Sequence, residues 1–262
     1  MPDPRNNQAR EFTLTDKQVL PNHIYVDEAI KAFAGSMGRM NISLPPGNQA
    51  LVEEWLRFYT GWEGRRVVGF DDPAELAVKL LVDSFAIAYL DGIVSPQKAI
   101  DLGSGNGWPG LAVRLLSPCA QVCLLDSRQG ACDFLQGYIG ASGISGVRVI
   151  QDRAEELGHD PIHRETYTLV TTRAMAGPRI ALELCSGFLA VGGKAVLWIS
   201  SEQEVPGSGQ GLKKAGLSLT AKHTYTLPDG MGARILAVYS KVTPMSRKYP
   251  RRYGAIRKKP LG

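Results

Sequence analysis

The stretch "AIDLGSGNGWPGLAV", residues 99–113, constrains this chain more than any other. A short apolar run ends in Gly103, Gly105, Gly107 and Gly110, and apolar residues at helical spacing follow. Glycine lets a strand turn sharply into a helix and lets backbone approach a ligand closely. Helix-start N–H groups would then face that ligand, and Pro109 suits a first helical turn because its missing N–H would be unpaired anyway. The same texture continues downstream. "KAIDLG", "QVCLLDS", "VRVIQD", "YTLVTTRA" and "GKAVLWIS" are short Val, Ile and Leu runs separated by helical stretches at 109–117, 127–141 and 178–190. Strands alternating with helices predict βαβ units and a parallel sheet covered on both faces. Two further strand-like runs, 217–227 and 234–242, flank a Pro-Asp-Gly turn and predict an antiparallel pair.

The first ninety residues read differently. Val26, Ala29, Ile30, Phe33 and Met37 recur at helical spacing, as do Leu51, Trp55, Leu56 and Tyr59. Asp72-Pro73 is a polar cap followed by proline, the start of a third helix. Three regions are expected: a helical extension over 1–95, an α/β core over 96–242 and a basic tail over 243–262. The apolar stretch 74–94 carries Glu75, Lys79, Asp83 and Asp91, too many charges for a membrane span. The polar N-terminus has no signal-like apolar segment, so a cytoplasmic location and no membrane partner are expected; a monomer is expected as well. Four cysteines without a C-x-x-C pair, and His159 and His163 separated by Pro161, give no reason to expect a metal.

Charge is unevenly placed. Residues 241–262 hold eight Lys or Arg and no Asp or Glu, leaving 22 basic against 25 acidic residues elsewhere. Lys248, Arg251, Arg252, Arg257, Lys258 and Lys259, interleaved with Tyr249 and Tyr253, suit RNA, whose phosphates pair with cations and whose bases stack on aromatics.

Three readings of the glycine loop compete: a ligand-free turn, a dinucleotide site and an S-adenosyl-L-methionine site. Gly105, Gly107 and Gly110 spell G-x-G-x-x-G, and Asp126 at the end of the next strand suits the ribose of either ligand. Asp101 favours the last reading, because Asp101-Gly103-Gly105-Gly107 has the D-x-G-x-G-x-G shape of class I methyltransferases, and the terminal antiparallel pair suits their Rossmann-like fold. No N/D-P-P-Y/F run follows the fourth strand, and Pro118-Cys119 lies elsewhere than a cytosine methyltransferase's nucleophile would. An acceptor with its own lone pair, such as guanine N7, needs alignment rather than a base.

"DLGSGNGWPGLAV", "LLDSRQGACDFL", "VRVIQDRAEEL", "YTLVTTRAMA", "FLAVGGKAVLW" and "RKYPRRYGAIRKKPL" stand in one order and spacing. Over about residues 72–262 the chain thereby resembles the glucose-inhibited division protein B family, bacterial 16S rRNA guanine-N7 methyltransferases. The resemblance implies a class I α/β fold, S-adenosyl-L-methionine as cofactor and the small-subunit 530 loop as substrate. It implies that Gly103 and Trp108 flank the cofactor loop, that Asp126 takes the ribose, that Ala154 and Glu155 lie beside the adenine, and that Arg173 stands at the pocket mouth and positions the acceptor. The chain departs from the family at Val67-Val68-Gly69 (usually Asn-Leu-Thr), at Leu80 (commonly His), at Arg128-Gln129-Gly130 and at Gly254-Ala255-Ile256. Two other readings stay open: a methyltransferase of this fold acting on a small molecule or protein, and a non-catalytic RNA-binding assembly factor.

Overall fold

The computed structural model describes residues 22–93 and 96–261. The expectations for residues 1–21 lie outside the described residues. Seven strands form one sheet: β1 (Lys98–Leu102), β2 (Gln121–Asp126), β3 (Val147–Gln151), β4 (Tyr167–Arg173), β5 (Leu189–Ser200), β6 (Leu217–Thr226) and β7 (Ala233–Lys241), in the order β3-β2-β1-β4-β5-β7-β6. The first five are parallel, and β7 runs antiparallel between β5 and β6. Strand order reverses between β1 and β4, where open α/β sheets leave a crevice at the carboxyl ends of their strands. β5 begins four residues earlier than its apolar run predicts. Gly192 and Gly193 lie inside the strand, where register with β4 shifts.

Helices cover both faces. On one lie α1 (Asn22–Arg39), α2 (Asn48–Thr60), α5 (Gly110–Leu116) and α6 (Gln129–Ser142). The same face carries a helical segment in which α3 (Pro73–Glu75) and α4 (Asp83–Phe85) flank a π-helical stretch, Leu76–Val82. The cap foreseen at its start is present: the Asp72 carboxylate accepts the Glu75 N–H at 2.8 Å. On the other face lie α7 (Ala154–Leu157), α8 (Pro178–Phe188), α9 (Gln210–Ala215) and α10 (Tyr253–Lys258).

The boundary expected at residue 95 does not separate two cores. Val52, Trp55, Leu76 and Phe85 share one buried cluster with Leu111 and Phe134. The Trp55 ring meets Trp108 and Phe134 edge-on, at 5.8 and 5.9 Å between centroids. A helix that buries an apolar stripe must pack it somewhere, and here the sheet's own helices provide the surface.

Residues 243–261 pack onto the core as well. Met245, Tyr249, Ile256 and Leu261 are buried in the second cluster with α8 and β4. Arg164 donates to the carbonyls of Met245 (3.0 Å) and Tyr249 (2.7 Å). Lys241, counted above with the basic tail, is buried and bonded to Glu165 at 3.0 Å and to the Ser186 carbonyl at 2.7 Å.

Candidate cofactor site

The glycine loop joins β1 to α5. Gly103, Gly105 and Gly107 all have positive φ, which a side chain would strain. Gly110, the third glycine of the G-x-G-x-x-G, serves packing instead: a Cβ there would collide with Leu124 and Asp101. Its φ is unremarkable for helix, so the constraint is the closeness of α5 to the sheet.

The loop's amides are engaged within the protein. Gly103 and Ser104 N–H groups donate to the Leu125 carbonyl at 2.8 and 3.0 Å, Gly107 to Ser104 at 2.7 Å and Leu111 to Gly107 at 2.8 Å. Gly105 donates to the Asp126 carboxylate at 2.8 Å, and Trp108 to the Asn106 side chain at 3.2 Å. A pyrophosphate cradle needs several free N–H groups converging on the ligand. These six are not free.

Beside the loop opens a cavity of about 690 Å³, within the range of small-molecule sites. Gly103, Gly105, Trp108, Asp126, Ala154, Glu155 and Arg173 line it. Asp101 and Gly107 do not. Asp101 is buried beneath the loop, where its Oδ1 accepts from the Thr171 hydroxyl at 2.7 Å and the Ser104 hydroxyl donates to its carbonyl at 2.9 Å. It therefore supports the loop from below rather than facing a ligand. Burial pushes its carboxyl up to about 7, against the hydrogen bond from Thr171.

Asp126 is buried at the end of β2, and both its oxygens accept from Arg128, at 2.9 Å from the backbone N–H and 3.1 Å from the guanidinium. Burial alone would raise its pKa, but the hydrogen bonds from Arg128 and Gly105 outweigh it and hold the carboxyl below the usual range. The Arg128 side chain is itself 68% exposed, so it can leave the carboxylate without a large desolvation cost.

Arg173 is fixed by groups far away in sequence. Its Nη1 bonds Asp83 Oδ2 and the Leu80 carbonyl, both at 3.0 Å, and Nη2 approaches the Trp108 carbonyl at 3.4 Å. Asp83 also accepts from the Tyr225 hydroxyl at 2.6 Å, and its carbonyl accepts from Trp198 at 2.8 Å. A second cavity of about 490 Å³ adjoins the first, and both are lined by Asp83, Arg173, Ala174 and Arg234. Arg173 thus stands at the junction of two spaces at the carboxyl ends of β4 and β5.

Several lining residues were not anticipated: Val67, Phe70 and Asp83 from the N-terminal helical region, Arg234 from β7 and Tyr253 from α10. For Asp83 a signal existed, because a carboxylate inside an apolar helix must find a partner. The Val67 carbonyl accepts from Asn106 at 3.2 Å, and the Asn106 carbonyl accepts from Trp55 at 3.1 Å. The N-terminal part therefore grips the glycine loop at the stretch where the chain departs from the family's Asn-Leu-Thr.

Among the expected RNA contacts, Lys248, Arg252, Arg257, Lys258 and Lys259 are exposed, but Arg251 is committed elsewhere. Its guanidinium bonds the fully buried Glu183, Nε to Oε1 at 2.9 Å and Nη2 to Oε2 at 2.5 Å. A buried carboxylate requires such a cation, so Arg251, whose side chain stays 27% exposed, anchors the segment. Tyr249, expected to stack on bases, is also buried. Among the described residues no group of three His, Cys, Asp or Glu side chains could hold a metal, and no helix is long and apolar enough to cross a membrane. His163 bonds the Tyr167 hydroxyl at 2.6 Å, and His159 the Pro250 carbonyl at 2.7 Å.

A protein named ribosomal RNA small subunit methyltransferase G from Symbiobacterium thermophilum is 34% identical over 86% of this chain and 95% of its own length. One of the same name from Carboxydothermus hydrogenoformans is 34% identical over 71% of this chain and 80% of its own. The crystal structure of a mutant of MtNAS shares the fold at a TM-score of 0.50 and 14% identity, covering 84% of this chain and 86% of that one. The model of the family described as rRNA small subunit methyltransferase G matches residues 50–214, which begin in α2, well before the expected domain boundary. The chain belongs to that family.

Proposed function

We propose that this protein transfers the methyl group of S-adenosyl-L-methionine to N7 of a guanine in the 530 loop of small-subunit ribosomal RNA. The observation that carries the cofactor assignment is the engaged glycine loop. With six amides already bonded, the site offers no cradle for a dinucleotide's pyrophosphate, while carboxylates at Asp126 and Glu155 line the cavity for an adenosyl group. The relatives' names supply the substrate class, small-subunit rRNA.

When bound, the cofactor supplies a methyl group made electrophilic by its positive sulfur. Asp126 would hold the ribose hydroxyls, displacing the Arg128 side chain, and Ala154 and Glu155 would flank the adenine. Arg173, locked by Asp83 at the junction of the two cavities, would orient the acceptor base in the second space. Guanine N7 carries an in-plane lone pair and no proton, so alignment suffices. Consistent with that, Asp83 is engaged by Arg173 and Tyr225 and is not available as a base.

Purified protein incubated with methyl-labelled cofactor and small subunits, or the naked RNA, tests this reading. Digestion to nucleosides should yield 7-methylguanosine. Label in protein, in a small molecule or in another nucleoside would overturn it. Arg173→Ala should reduce turnover by at least tenfold with little change in cofactor Kd, as expected for lost orientation.

A further inference from the structure

Tyr253 belongs neither to the ionic anchors of the C-terminal segment nor to its exposed cations. It is half-buried, packs against the apolar cluster of α8 and β4, and lines the larger cavity with Ala154, Met175 and Leu184. Its place is fixed from both sides. Upstream, Arg251 is bound by Glu183 of α8, and the Pro250 ring lies 3.0 Å from where a Cβ would stand at Gly158, after α7, and at Gly187, within α8. Downstream, Ile256, one helical turn on, is buried. Tyr253 therefore reaches the cavity from the side of α7 and α8, and Ala154 and Glu155 are among the residues that line the same cavity. Arg252, Arg257 and Lys258 remain exposed on the same short helix.

We propose that Tyr253 is a cofactor-binding residue, its ring forming an aromatic wall for the adenine, so that the C-terminal segment completes the cofactor pocket. This rests on the reading of the cavity as an adenosyl site. A purine is a flat π-face, and base–aromatic stacking is worth about 1–3 kcal/mol by alanine substitution, a loss of roughly five- to 150-fold in affinity. One short helix then serves two ligands: Tyr253 inward on the cofactor, the cations outward on RNA.

Calorimetric titration of the full chain with S-adenosyl-L-methionine tests it. Tyr253→Leu keeps apolar packing on the cluster but removes the ring, and should weaken binding by about tenfold. Tyr253→Phe should bind within about twofold of the wild type, and Lys258→Ala with Lys259→Ala should lower RNA affinity without changing cofactor affinity. A Tyr253→Leu protein that binds the cofactor as tightly as the wild type overturns the proposal, as does one that loses only RNA affinity, which would assign the ring to RNA. Absence of cofactor binding by the wild type would instead overturn the underlying reading of the cavity.

Discussion

On one face of the sheet, the N-terminal helices meet α5 and α6 through an aromatic seam. Trp55 stacks on Tyr59 at 5.4 Å and meets Trp108 and Phe134 edge-on, and Phe85 tilts against Trp108 at 5.5 Å. On the other face, the C-terminal segment buries Met245, Tyr249, Ile256 and Leu261 and is fastened in addition by charged groups: Arg164 on its carbonyls, Lys241 on Glu165, and Arg251 on Glu183. The difference is instructive because each face delivers something to the same cavity. Apolar burial is strong and non-directional, and it presses Trp55 and Val67 onto the glycine loop. Buried ion pairs stabilise little on balance but fix register, and here they set which residue reaches the cavity and which cations face outward.

The largest effect should come from the aromatic face. Trp55→Ala removes a fully buried indole and should cost about 3–5 kcal/mol in denaturant unfolding. It also frees the Asn106 carbonyl, so cofactor affinity should fall with it. A loss under about 1 kcal/mol would show that the seam is not what closes this face. Next, Arg251→Ala leaves the buried Glu183 without its cation and should cost about 3 kcal/mol. Glu183→Gln in the same background should recover part of it. If Arg251→Ala is neutral, the ionic account of the second face fails.

A pH-dependent effect belongs to Asp101, an ionisable group buried beneath the glycine loop. Its folded carboxyl is raised to about 7, so the fold favours the protonated form. That contribution is complete below the unfolded pKa near ~4 and is lost as pH rises through about 7, with a slope of about 1.4 kcal/mol per pH unit between. Asp101→Asn should flatten stability over that window and leave the variant more stable than the wild type at about pH 8. Parallel pH profiles for the two proteins would contradict the burial argument.

Much of the fold was legible because parallel strands buried on both faces leave continuous apolar runs, and because capping and turn residues mark helix starts and hairpins locally. Asp126 and Arg173, which end β2 and β4, and Gly105, just past β1, were legible as candidate site residues because open α/β sheets leave their crevice at those strand ends. What stayed hidden were partnerships between distant residues. Asp83 and Arg173 lie 90 positions apart, and nothing in "YPRRYG" distinguishes Arg251, which is bound inward, from Arg252, which faces out. Composition counts a charge but does not say what neutralises it. Deleting residues 247–262 would thus remove buried Tyr249, Ile256 and Leu261 along with the cations, so replacement of Arg257, Lys258 and Lys259 is the cleaner probe of RNA contact.

The proposed reaction is methylation of guanine N7 in small-subunit RNA. It is tested most directly in a strain lacking this gene, by borohydride reduction and aniline cleavage of the 16S RNA, which cut the strand at 7-methylguanine. One cut, in the 530 loop, should disappear in that strain and return when the wild-type protein is restored. A cleavage pattern identical with and without the gene would contradict it.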